Sequence, residues 1–107
     1  IEGANHSDFS DACLLHQIVD TPKVSYQVAY PQSRKRYRYI RYTSTPEKTL
    51  QLAELQLFRK VDDQEKITTK VIDGSNAFIA DDRFDRFKVN DGDGLTFFLT
   101  KEKGAFG

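Results

Sequence analysis

Apolar and polar residues alternate with period two through much of the first half of this chain. In VSYQVAY (Val24–Tyr30), Val24, Tyr26, Val28 and Tyr30 fall on one face and Ser25, Gln27 and Ala29 on the other. That pattern predicts a half-buried strand, and Pro22 and Pro31 bracket it as turn markers. CLLHQIV (Cys13–Val19) reads as another strand. RYRYIRYTS alternates again, with Tyr37, Tyr39 and Arg41 on one face and Arg36, Arg38, Ile40 and Tyr42 on the other. LQLAELQLF (Leu50–Phe58) is less regular, because Leu50 and Leu52 keep one phase and Leu55 and Leu57 the opposite one. The flip at Ala53-Glu54 predicts a bulge or a loop-to-strand junction. Good helix formers in the same stretch leave an amphipathic helix as the alternative. Residues 73–96 read as loop, with turn clusters at DGSN (Asp73–Asn76) and NDGDG (Asn90–Gly94) around AFIADDRFDRF. Short strands with frequent turns and few helices predict an all-β fold, a β-sandwich or jelly roll.

Composition sharpens this picture. A chain of 107 residues has the length of one small domain. Eight Phe and five Tyr, with no Trp and no Met, tilt its core toward aromatic and β-branched packing. The formal net charge is zero, but the charges are segregated. Between Lys23 and Lys60 nine basic residues face only Glu47 and Glu54, whereas both ends are acidic. The densest point is RKRYRYIRY (Arg34–Tyr42), with five basic side chains and three tyrosines in nine residues. Arg and Tyr together suit phosphates and base stacking. The zero net charge and acidic flanks argue against nucleic acid as the partner. A sandwich strand whose Arg stems cover apolar surface accounts for the same residues.

The single cysteine, Cys13, excludes an intrachain disulfide and argues against a small secreted disulfide scaffold. No run of 18 apolar residues predicts a transmembrane helix, so membrane insertion is not expected. No signal peptide is visible, and the start at Ile1 predicts a piece of a longer protein. Cys13 and His16 could pair as thiol and base. Three residues apart on a strand they fall on opposite faces, so no catalytic role is expected of them. His6 reads as part of a solvated turn, and NHS (Asn5–Ser7) matches an N-glycosylation acceptor pattern.

Three phrases carry a family resemblance. IEGANHSDFSDACLLHQI resembles the strand-and-turn phrase of discoidin domains, an apolar start, Gly-Ser-Asn-Asp and then an aromatic. RKRYRYIRYTSTPEKTLQLAELQLF resembles their closing phrase, an Arg-Tyr-Ile-Arg strand, a short loop, then Ala-Glu before a terminal strand. VNDGDGLTFF resembles their early loop, Asp-Gly-Asp-x-x-Thr followed by an aromatic. The family is the coagulation-factor type C, or galactose-binding-like, family, which includes the family 32 carbohydrate-binding modules. The wording is most similar to copies appended to Bacteroides-type surface proteins and glycan-processing enzymes. The order of the phrases is reversed here. Residues 1–60 resemble the back half of one copy and residues 61–107 the front of the next. The chain then either spans a boundary between tandem copies or folds both pieces into one permuted sandwich.

The resemblance implies a structural calcium ion held by the Asp-Gly-Asp-x-x-Thr loop and the Glu of the Ala-Glu phrase. The matching positions are Asp91, Asp93, Thr96 and Glu54. Calcium takes six to eight oxygens in a flexible cage, and glycines let backbone carbonyls turn inward. An ordinary Asp-Gly turn is the plain alternative. An EF-hand starting at Asp91 fails, since Leu95 and Thr96 occupy its fifth and sixth positions, the latter requiring Gly. Sugar recognition pairs an aromatic face with polar side chains. The loop around residues 75–87 offers Asn76, Phe78, Arg83, Phe84 and Arg86 for it, unless Phe78, Phe84 and Phe87 fill the core. The expected function is non-catalytic carbohydrate binding by a module of a larger extracytoplasmic protein, secreted, periplasmic or at the cell surface. Its expected partners are a glycan and neighbouring domains of the same parent chain. The alternative is a structural spacer attached to a glycan-processing or surface enzyme, with no sugar site of its own.

Overall fold

The computed structural model describes residues 1–19, 26–60, 62–77 and 84–107. These residues carry five short strands, a 3₁₀ helix over Arg86–Asn90 and no α-helix. The strands form two antiparallel sheets, so the regular structure is all-β. The chain divides into two compact units, Ile1–Thr43 and Ser44–Gly107.

The first unit is built on β1 (Glu2–Ala4), which lies between β2 (Cys13–Leu14) and β3 (Tyr39–Arg41). Glu2 pairs with Leu14 and Arg41, and Gly3 with Cys13 and Ile40. Gly3, Ala4 and Leu15 are buried. The centre of β1 requires glycine, because a Cβ at residue 3 would lie 2.7 Å from Cγ of Tyr37 and 2.9 Å from Cδ1 of Leu15. The loop between β1 and β2 turns at Phe9, whose φ of 57° is left-handed, a costly conformation for an aromatic residue. The Asp11 carboxylate fixes that loop by accepting from the Asn5 and His6 amides at 3.0–3.2 Å. Those bonds hold its pKa below the ordinary aspartate value, the Asn5 amide contributing most.

The alternation around residue 39 survives in β3, since Tyr39 and Arg41, two residues apart, both touch the Phe9 ring. The expected strand over Val24–Tyr30 differs. Residues 24 and 25 lie outside the described residues, and 26–30 pair with no strand among the described residues. Tyr26, Val28 and Tyr30 are all more than half exposed, so no layer of the described residues buries their alternating face. The strand expected over Cys13–Val19 is cut to Cys13–Leu14, paired with Glu2 and Gly3; beyond it the Leu15 and His16 amides both donate to the Ile1 carbonyl, which ends the regular ladder.

The second unit pairs β4 (Thr49–Leu52) with β5 (Phe98–Lys103), two strands on either side of residue 60. Leu50, Phe98 and Ala105 form its apolar core, and Thr100 is buried among them. LQLAELQLF is a strand to Leu52 that gives way to an irregular segment, not a helix, held by backbone bonds from Leu55 to Val89 and from Ile67 to Leu57. The irregular register sits between Thr49 and Gln51, ahead of the phase flip at Ala53-Glu54.

Candidate functional site

The sequence-derived metal ligands all lie in the second unit. The 3₁₀ helix Arg86–Asn90 is capped by Asp85, whose carboxylate accepts from the Phe87 amide at 2.8 Å. It delivers the chain into the Asp91 turn. There Asp91 Oδ1 accepts from the Asp93 amide at 2.9 Å and Oδ2 from the Thr96 hydroxyl at 2.7 Å. Asp93 Oδ1 in turn accepts from the Leu95 amide at 2.9 Å. The φ of +80° at Gly92, with open space where a Cβ would stand, permits the reversal. The Thr96 hydroxyl, followed by the Asp93 amide, holds the Asp91 carboxyl below its ordinary pKa.

Glu54 shares a cavity with Asn90, the residue before Asp91. It follows β4, and the next residue, Leu55, donates its amide to the Val89 carbonyl at 2.7 Å. The Ala-Glu phrase is thereby tied to the 3₁₀ helix that leads into the Asp91 turn. Glu54 lines a cavity of about 150 Å³ with Gln56, Lys66, Thr68, Thr69 and Asn90 among its neighbours. Glu54 Oε2 is buried without a hydrogen-bond partner among the described residues. An unpartnered buried carboxylate oxygen is costly and favours a cation or a hydrogen-bond donor beside it.

These residues match calcium in part. The donor set is all oxygen, the chemistry that calcium takes, and Glu54 Oε2 lacks a partner. Asp91, however, has both carboxylate oxygens engaged within its own turn. Among the described residues no group of three or more His, Cys, Asp and Glu side chains converges as a metal site. As arranged, Glu54 is a lone candidate ligand beside a turn that closes on itself.

The proposed sugar-contacting residues are divided. Phe78 and Arg83 lie outside the described residues. Asn76 is exposed, and its backbone carbonyl accepts from the Lys101 amide at 3.2 Å. Phe84 is half-buried and packs on Phe97 with ring centroids 5.2 Å apart. Phe87 is instead 58% exposed, so it does not fill the core. Arg86 holds the Asp73 carboxylate at 3.0 Å, which ties the start of the helix to the DGSN segment; that segment is not the expected turn but runs beside β5, where Ala77 bridges Thr100.

In the first unit Cys13 is exposed and its thiol faces the Leu14 carbonyl at 3.8 Å. The basic run is shaped by one side chain that the sequence did not single out, Asn5. Its amide donates to the Arg36 carbonyl at 3.4 Å and its oxygen accepts from the Arg38 amide at 3.1 Å. Asn5 was legible only as part of a glycosylation pattern. Nothing in the sequence signals that it clamps a segment more than thirty positions away. Lys66, Thr69 and Asn90 were also missed, since they gather at the Glu54 cavity only through tertiary pairing.

No protein-family model, no curated protein and no solved structure matches this chain.

Proposed function

We propose that the chain is a non-catalytic carbohydrate-binding module of the galactose-binding-like, β-sandwich type, part of a larger extracytoplasmic protein. The observation that carries this reading is the 2.7 Å bond from the Leu55 amide to the Val89 carbonyl. It brings together two phrases far apart in the chain, Ala53-Glu54 and Asn90–Thr96, which the discoidin resemblance assigns to one site. Pairing of β4 with β5 across residue 60 supports the permuted arrangement of that family's two halves. The proposal includes a structural calcium ion with oxygens from Glu54, Asp91, Asp93 and Thr96. The orphaned Glu54 oxygen supports it, and the self-closed Asp91 turn weighs against it. Sugar contacts are assigned to Asn76, Phe78, Arg83 and Phe84. Shallow loop recognition of this kind gives affinities on the order of micromolar to millimolar.

A screen against immobilised glycans tests the reading, and it fails if no saccharide of any class is retained. The calcium component is tested by thermal melts in millimolar calcium and in EDTA. At about 100 times its dissociation constant a ligand stabilises by roughly 2.7 kcal/mol. The rise in Tm is expected to vanish in Glu54→Ala, and its absence in the unaltered protein removes calcium from the proposal.

A second reading, a spacer that docks on neighbouring domains, draws on a different observation. Val19, Val28 and Leu95 are 86%, 73% and 91% exposed, a large share for such apolar side chains. It predicts no glycan retained in the same screen.

A further inference from the structure

We infer that the segment Arg34–Arg38 is a preorganised cationic edge that recognises an anionic polysaccharide, one bearing sulfate or carboxylate groups. The inference rests on the glycan-binding reading and names its substrate class.

The run holds five cations, and the structure separates them by role. Arg41 is spent on the fold, with Nη2 2.7 Å from Glu2 Oε2 and its guanidinium 4.3 Å over the Phe9 ring. Arg34, Lys35, Arg36 and Arg38 are exposed. None of these four side chains forms an ion pair with a described carboxylate. Four like charges within five residues repel one another, and an anion bound among them relieves that repulsion.

The backbone that carries them is fixed. Asn5 brackets Tyr37 by bonding the Arg36 carbonyl and the Arg38 amide, and the Arg38 amide also donates to the Ala4 carbonyl at 3.1 Å. The Lys35 amide donates to Ser33 Oγ at 3.2 Å, and that hydroxyl lies 2.8 Å from the Tyr37 hydroxyl. Tyr37 turns inward onto Gly3, so neighbouring Arg36 and Arg38 are left outside. A chain already ordered before binding loses less entropy when it binds. The Arg forks match sulfate and carboxylate oxygens in bidentate fashion.

The aromatic residues of the run decide between polyanions. Single-stranded nucleic acid needs free aromatic faces on which bases stack. Tyr37 is packed on Gly3, Tyr39 lies under Arg38 at 5.7 Å and beside Phe9, and Tyr42 is half-buried. The exposed tyrosines of this unit, Tyr26 and Tyr30, lie outside the run. Charge without stacking platforms favours a polyanion held through its charged groups alone, as the sulfates and carboxylates of an anionic saccharide allow.

The test is titration of the full chain with a heparin oligosaccharide, its desulfated form, a neutral galactan oligosaccharide and oligo-dT of equal length. Heparin is expected to bind, weakening on the order of 100-fold between 50 and 200 mM salt if about four counterions are released. The variant Arg34→Gln/Lys35→Gln/Arg36→Gln/Arg38→Gln is expected to lose at least about tenfold in affinity and most of that salt dependence. Its Tm should be unchanged, because the four side chains are exposed. The milder Arg36→Gln/Arg38→Gln pair gives an intermediate loss. Binding of the desulfated form supports the inference and identifies carboxylates as sufficient; its loss supports it and identifies sulfate. The inference is overturned if heparin does not bind, if the fourfold variant binds it equally, or if oligo-dT binds more tightly. Retention of neutral galactan without heparin sinks this inference and leaves the glycan-binding reading standing. Binding of oligo-dT alone sinks this inference, and the glycan-binding reading then falls only if the immobilised-glycan screen also retains no saccharide.

Discussion

The hydroxyl of Thr100 accepts the amide of Leu50 at 2.9 Å where the β4–β5 register slips between Thr49 and Gln51. The same hydroxyl lies 3.0 Å from the Glu102 carbonyl, to which it donates. A side chain thus replaces the ladder bonds that the irregularity removes, at a fully buried position. Thr100→Val keeps the shape and deletes the acceptor, which leaves a buried amide unsatisfied. A loss of about 1–3 kcal/mol in unfolding free energy is expected, with Thr100→Ser recovering most of it. Urea denaturation measures both, and equal stability of the Val variant and the parent protein would refute the role given to the hydroxyl.

Gly3 carries a different kind of constraint, one of volume. A methyl group at this position meets the Tyr37 ring at 2.7 Å and Leu15 at 2.9 Å, and both neighbours are packed. Gly3→Ala is expected to cost about 1–3 kcal/mol by overpacking. Shrinking the obstacle should relieve it, so Gly3→Ala/Tyr37→Ala should lose less than the sum of the two single changes. Additive losses in thermal melts of the four proteins would show that the ring and the glycine do not meet.

Phe9 and Arg41 make a third testable pair. The guanidinium stacks at 4.3 Å and is oriented by Glu2, with Nε donating to Oε2 at 2.9 Å. The geometry predicts a coupling of about 0.5–1 kcal/mol in a Phe9→Ala, Arg41→Gln double-mutant cycle. Glu2→Gln should weaken that coupling, because it removes the carboxylate charge that orients the guanidinium on the ring. A coupling indistinguishable from zero would make the left-handed Phe9 turn a strain without this compensation.

The same three relationships show how far the sequence could be read. Period-two alternation located β3, because Tyr39 and Arg41 meet one ring on one face. It failed over residues 26–30, since alternation reports only that one face could be buried. Whether a partner layer exists is a tertiary fact. The phase flip at Ala53-Glu54 pointed to a bulge or a loop-to-strand junction, whereas β4 ends at Leu52 with no strand after it and the register irregularity lies earlier. It depends on a hydroxyl some fifty positions away in the chain. The Asp-Gly-Asp phrase was legible as a turn, since Asx bonding and a left-handed glycine are local effects. The unpartnered Glu54 oxygen was not, because burial of one carboxylate atom follows from how residues 54–56, 66–69 and 90 pack.

The Asp91 turn gives the sharpest dependence on pH. Its carboxylate accepts from the Thr96 hydroxyl and the Asp93 amide, and these bonds lower its pKa in the folded state. A depressed folded value means the ionised turn contributes stability at pH above the unfolded value of about 3.9. That contribution is lost as pH falls through the lower, folded value. Asp8 and Asp11 are depressed by their own backbone bonds, so a global melt would mix all three. Residue-resolved NMR titration in EDTA separates them and should place the Asp91 midpoint below about 3.9. Thr96→Val removes the leading bond and should move that midpoint upward while leaving those of Asp8 and Asp11 in place. An Asp91 midpoint at or above the ordinary value, or one that Thr96→Val does not shift, would mean the turn is not closed by its carboxylate in solution.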